Sequence, residues 1–105
     1  MSQKRMIVVG AGNLGRRLAQ ALATSGFEVL VIDESEELNK QAQQQIEHSI
    51  DGEIARWGLT SGDKRAILAR LQFSTKLSEA PDGGAVFEAI SENLELKIAL
   101  FKQLD

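Results

Sequence analysis

The chain has no cysteine, one proline and one histidine in 105 residues. Without cysteine there can be no disulfide, no thiolate metal site and no cysteine nucleophile, and a reducing cytoplasmic setting is the expected one. One histidine and scattered acids cannot supply the three protein ligands of a catalytic metal centre, so no metal is expected. Basic residues are in deficit, with 12 Lys+Arg against 15 Asp+Glu and a net charge of -3. That balance lacks the excess on which nucleic-acid or anionic-membrane binding draws, so neither partner is expected. Long apolar runs are also missing. Met6 to Val9 and Val29 to Ile32 fall far short of the ~20 residues of a membrane span. No signal-peptide pattern precedes them. The length suits one compact domain, 1–105, though it is short for a doubly wound α/β domain, so a partial domain is expected.

What is present is a change of period. Met6-Ile7-Val8-Val9 is continuously apolar and β-branched, as in a parallel strand covered on both faces, and it stops at Gly10. From Leu14 the period becomes helical, with Leu18, Ala19, Ala21 and Leu22 on one stripe until Gly26. Val29 to Ile32 forms a second buried strand ending at Asp33, which completes a βαβ unit. Ser35 then caps a helix with Glu36 and Glu37 in its first turn, and Leu38, Ala42, Ile46 and Ile50 form its apolar stripe as far as Trp57. Gly58 ends it, and Thr60 with Asp63 resembles a capping box opening a short helix through Ala66, Ile67 and Arg70, so the two make a hairpin. Leu71 to Phe73 reads as a strand, Pro81 to Gly84 as a turn and Ala85 to Ile90 as a further strand. Leu94, Ile98 and Phe101 predict a final helix reaching Leu104.

Gly10-Ala11-Gly12-Asn13-Leu14-Gly15 fits G-x-G-x-x-G between a strand and a helix. The first glycine permits the turn, the second lets a pyrophosphate approach the backbone, and the third lets helix and strand pack closely. Asp33 lies near the spacing at which an acid binds a ribose 2′-hydroxyl. Its charge would repel a 2′-phosphate, which favours NAD; Arg16 and Arg17 on the first helix keep NADP as the alternative. A purely structural turn with a solvated Asp33 is the competing interpretation. The expected fold is α/β, a Rossmann-type doubly wound parallel sheet truncated to about four strands, with the helical hairpin after the second strand.

Ile7 to Gly15 would fit many dinucleotide proteins. Phe87-Glu88-Ala89-Ile90-Ser91-Glu92-Asn93-Leu94-Glu95-Leu96-Lys97, followed by Leu100 to Asp105, is more specific. On these residues the sequence resembles the N-terminal NAD-binding domain of the 3-hydroxyacyl-CoA dehydrogenases of fatty-acid β-oxidation, over nearly the whole chain. The resemblance implies that Gly10, Gly12 and Gly15 hold the pyrophosphate and Asp33 the adenosine ribose, with Asn13, Leu14 and Glu34 also in the cofactor-binding set. Ala89, Ile90, Glu92 and Lys97 join the cofactor-binding set, the last two near the nicotinamide end. Ser49 and Arg56 match positions that offer coenzyme A a hydroxyl and a basic group.

There are departures from the family pattern. Arg16 and Arg17 replace residues that are usually small, and Gly83-Gly84 loosens the entry to the fourth strand. The family's catalytic histidine and its partners belong to segments beyond Asp105, so no catalytic residue is expected within the chain, and an acyl-CoA substrate belongs to the parent enzyme. His48, between Glu47 and Ser49 on a helix, reads as a surface residue. The alternative function is a freestanding NAD-sensing or regulatory module. The strand at 85–90 should leave one edge open, which predicts self-association there.

Overall fold

Residues 5–79, 85–88 and 97–100 are described by the computed structural model. Strands β1 (Met6–Val9), β2 (Val29–Ile32), β3 (Leu71–Ser74) and β4 (Ala85–Glu88) run parallel, and β5 (Lys97–Leu100) lies antiparallel on β4. The spatial order is β3-β2-β1-β4-β5. The chain moves outward from β1 to β3 and then returns to the other side of β1. The order therefore reverses between β1 and β4, where doubly wound sheets open a crevice at the carboxyl ends of their strands.

Helices α1 (Asn13–Thr24), α2 (Glu36–Trp57) and α3 (Ser61–Ala69) pack on one face of the sheet. Val8, Val29 and Val31 meet Ala19, Ala23, Ala42, Ile46, Ile50 and Ile67 there. On α1 the fully buried positions are the smallest, Gly15, Ala19 and Ala23, four residues apart. They bring the helix backbone close to the strands, while Leu18 and Leu22 pack half-buried at the margin. The opposite face gathers Ile7, Leu30, Ile32 and Val86. Alternate residues of β1 and β2 thus serve two cores, which explains why both strands read as unbroken apolar runs.

The helix boundaries follow local chemistry. Ser35 Oγ accepts from Leu38 N–H at 3.1 Å, and Glu36 and Glu37 occupy the first turn of α2. At its other end Gly58 adopts a left-handed conformation, φ 77°, and donates to the Ile54 carbonyl. Thr60 and Asp63 form a full capping box on α3, with both bonds at 3.0 Å. Lys64 Nζ meets Asp51 Oδ1 at 2.7 Å, closing the α2–α3 hairpin. That hydrogen bond holds the Lys64 ammonium above its ordinary pKa. Arg70 Nη1 donates to the Ala23 carbonyl at 2.8 Å and so ties the end of α3 to the end of α1.

Three expectations need correction. Residues 97–100, predicted as part of a terminal helix, form β5, paired in the register Ala85↔Leu100 through Glu88↔Lys97. A short apolar run is ambiguous between helix and strand, and the unpaired edge of β4 decides it. For the same reason the edge at 85–88 is not open, and the predicted self-association through 85–90 loses its basis. Leu38 is 39% exposed rather than part of the buried stripe of α2, and Asn39 beside it is buried instead.

Candidate functional site

The three loop glycines have separate reasons. Gly10 ends β1 at φ 112°, a conformation that L side chains rarely adopt, and its N–H donates to the Ile32 carbonyl at 2.7 Å. A Cβ on Gly15 would lie 1.8 Å from the Gly10 carbonyl oxygen, so helix and turn meet with no space for a side chain. Gly12 differs from both. It is exposed, its φ of -74° suits any residue, and a Cβ there would meet nothing within 4 Å. Nothing in the fold calls for glycine at position 12.

Gly12 is also the N-cap of α1, and no side chain caps that helix. No acid stands in its first turn. Its leading N–H groups and positive dipole end therefore meet no side-chain cap and no carboxylate of the helix itself. Asn13 is exposed at the first helical position, and its Oδ1 accepts from Arg16 Nη2 at 2.9 Å. Leu14 turns toward the core instead, packing against the cluster beneath α1.

Asp33 follows β2 and faces the loop. Its Oδ2 accepts from Ala11 N–H and its Oδ1 from Ser35 N–H, both at 2.9 Å. The carboxylate is therefore aimed by the backbone on either side of it, and each oxygen retains a lone pair for a further donor. This bracing of the glycine loop is invisible in a motif. A cavity of about 430 Å3 opens beside it, lined by Gly10, Asp33, Glu34, Thr75 and Leu77 among others. The loop after β1, the end of β2 and the turn after β3 thus converge at one end of the sheet. A larger depression of about 880 Å3 runs along α2 and β3 but includes neither the glycine loop nor Asp33.

The remaining predicted residues divide. Ser49 is half-buried in α2, its Oγ accepting from Gln20 Nε2 at 3.1 Å. Arg56, two turns further on, is exposed, with its guanidinium over Gly52. His48 is exposed on the same helix. Lys97 begins β5, while Ala89, Ile90 and Glu92 lie outside the described residues. Thr75 and Leu77 were missed because nothing in the local sequence marks a loop that meets the site only after two crossovers. The described residues hold no group of three or more His, Cys, Asp or Glu placed for a metal. None of their helices is long and apolar enough to cross a membrane.

A strand, a glycine turn, an uncapped helix and an acid at the end of the next strand define a Rossmann-type dinucleotide-binding domain. Residues 5–105 match the family described as 3-hydroxyacyl-CoA dehydrogenase, NAD binding domain. The chain belongs to that family. It is 39% identical over 97 residues to a Deinococcus radiodurans protein named "Probable 3-hydroxybutyryl-CoA dehydrogenase", covering 92% of this chain and 34% of that protein. With the 3-hydroxybutyryl-CoA dehydrogenase of Mycobacterium tuberculosis it shares 31% identity over 102 residues, 97% of this chain and 36% of the relative. The crystal structure of (S)-3-hydroxybutyryl-CoA dehydrogenase from Ralstonia eutropha superposes with a TM-score of 0.75 at 34% identity, over 88% of this chain and 32% of that one. The chain thus spans about a third of the length of these relatives.

Proposed function

We propose that residues 1–105 are the cofactor-binding part of an NAD-dependent 3-hydroxyacyl-CoA dehydrogenase, acting in fatty-acid metabolism in the cytoplasm. The parent reaction oxidises a 3-hydroxyacyl-CoA to the 3-ketoacyl-CoA. The bound cofactor supplies the hydride acceptor, and the hydroxyl proton passes to a base. The relatives' names favour short acyl chains such as hydroxybutyryl. The observation that carries the reading is Gly12, a glycine that the fold does not need, placed where a dinucleotide's pyrophosphate would touch the backbone.

Gly10, Gly12, Asn13, Leu14 and Gly15 shape and present the phosphate-binding turn. Asp33 accepts from the adenosine ribose hydroxyls, with Glu34 at its side. Ala89 and Ile90 complete the cofactor-binding set, and Glu92 and Lys97 serve the nicotinamide end. On α2, Arg56 offers its exposed guanidinium to a coenzyme A phosphate. Ser49 keeps its own hydroxyl proton for donation, since its oxygen is the acceptor toward Gln20. The cavity beside Asp33 is lined, among the described residues, by two carboxylates and no cation. That supports NAD over NADP, because a 2′-phosphate would meet like charge there.

Calorimetric titration with NAD, NADP and acetoacetyl-CoA tests these assignments. NAD should bind tighter than NADP by about tenfold or more, the worth of one charge-assisted contact of about 1.5 kcal/mol. Equal affinity for both would overturn the preference. Arg56→Ala should weaken acetoacetyl-CoA and leave NAD unchanged. Turnover by this chain alone is expected to stay at background, because exposed His48 has no orienting partner among the described hydrogen bonds. Acetoacetyl-CoA reduction that disappears in His48→Ala would show the opposite.

A further inference from the structure

Asn39 is the one buried polar side chain among the described residues, 7% exposed, on the core face of α2. Its partners are unusual. The β2–β3 ladder runs in register through Ile32↔Ser74, and its last backbone bond joins Asp33 N–H to the Ser74 carbonyl at 3.0 Å. Just past that rung, Asn39 Nδ2 donates to the Asp33 carbonyl at 3.3 Å and to the Ser74 carbonyl at 3.1 Å. A side chain from α2 thus adds one more crosslink between the strands at the point where they part. Facing two acceptors fixes the amide's orientation, because only its NH2 group can serve them. Oδ1 is therefore turned away, buried and without a partner. Packing alone favours an apolar residue here, since an unmet buried acceptor is destabilising. The amide is explained by the two carbonyls it holds.

Those carbonyls belong to the residues that lead into the cavity walls. Asp33 and Glu34 form one wall, and Thr75, directly after Ser74, stands on another. We propose that Asn39 is a positioning residue for the adenosine end of the dinucleotide site, setting the separation of the Asp33–Glu34 and Thr75 walls by clamping the ends of β2 and β3. The inference rests on the reading that this cavity receives the adenosine half of NAD. It differs from a purely structural role in what it predicts. A residue needed only for stability changes the melting temperature and leaves the affinity of the folded protein alone.

The test is calorimetric titration of the full chain with NAD and with AMP, which carries the adenosine end only, at a temperature where each variant is folded by circular dichroism. Asn39→Leu, which removes the donor, should weaken NAD and AMP by a similar factor of about five to ten, the worth of roughly one hydrogen bond. Asn39→Gln, which keeps the NH2 group, should recover most of that loss. Unchanged AMP affinity in Asn39→Leu, whatever its melting temperature, would overturn the inference. So would an Asn39→Gln variant that binds AMP no better than Asn39→Leu. If Asn39→Leu does not fold, Asn39→Ser removes the double clamp with less change of shape and is judged by the same AMP affinity. Failure of the unsubstituted chain to bind either NAD or AMP would overturn the cofactor reading itself, a result distinct from unequal variants.

Discussion

The N-terminus of α1 and the N-termini of α2 and α3 solve the same problem in opposite ways. A helix start leaves N–H groups unpaired and carries a partial positive charge. At α2 the hydroxyl of Ser35 and the carboxylates of Glu36 and Glu37 meet that need, and at α3 the Thr60–Asp63 box does. At α1 there is a bare glycine cap, no acid, and Arg16 and Arg17 in the opening turns, where cations are electrostatically misplaced. Good local chemistry is therefore available to this chain and is withheld at one helix. Departures from local consistency gather where a site needs them, and here the departure stands at the glycine loop.

The contrast between the helices breaks most completely at Gly15. In Gly15→Ala the new Cβ would lie 1.8 Å from the Gly10 oxygen and 2.8 Å from its carbon, both backbone atoms that cannot turn aside. Destabilisation of about 3 kcal/mol or more is expected, with loss of NAD binding, measured by urea denaturation and calorimetry. Gly12→Asp separates ligand from fold. Space is open at that Cβ and aspartate is a good N-cap, so stability should hold within about 0.5 kcal/mol while NAD affinity falls about tenfold or more through the added charge. Normal NAD binding by the Gly12→Asp variant would remove the reason given for that glycine. Asp33→Ala should cost about 1–3 kcal/mol of NAD binding. It should also loosen the loop, because Ala11 and Ser35 lose their acceptor; amide exchange at Ala11 separates the two effects.

How much of this was legible follows from range. β1, α1, β2, the full run of α2 to Trp57 and the Thr60 box are written in local periodicity and capping chemistry, and they stand where the residues place them. The glycine loop was readable for the same reason, since its three glycines act within six residues of one another. Asn39 was not readable: its partners are at Asp33 and Ser74, and a polar residue next to an apolar stripe ordinarily faces water. A slow drift in the stripe places Asn39 inward and Leu38 outward, a difference of one helical position that sequence periodicity resolves poorly. The fate of residues 97–100 depended on a vacant strand edge, which exists only once the sheet has formed.

Smaller effects should appear at the self-capped helices, and only in stability. Thr60→Ala removes the hydroxyl that accepts from Asp63 N–H and should destabilise the chain by about 1 kcal/mol. NAD affinity should not change, since α3 lies outside the cofactor corner. A matching loss of NAD affinity would mean that the hairpin and the cofactor corner are coupled, contrary to the division drawn between them.

The smallest expected effect is on the acid side of the same cap. The Thr60 backbone N–H, and after it the Thr60 hydroxyl, hold the Asp63 carboxyl below the ordinary aspartate pKa. A carboxylate whose pKa is lowered on folding binds its proton more readily in the unfolded chain. Its contribution is therefore complete above the unfolded aspartate value and fades as pH falls through the lower folded value. Asp63 is exposed, and solvent screening keeps that contribution small. Stability of the native chain and of Asp63→Asn, measured by urea denaturation from neutral pH downward, should differ most at neutral pH and converge in acid. α1 has no acid in its first turn to titrate, so NAD affinity should show no matching step from its own cap. Parallel stability curves across that range would place the worth of the box in the Thr60 hydroxyl alone, and the contrast between the helices would then rest on hydrogen bonding without charge.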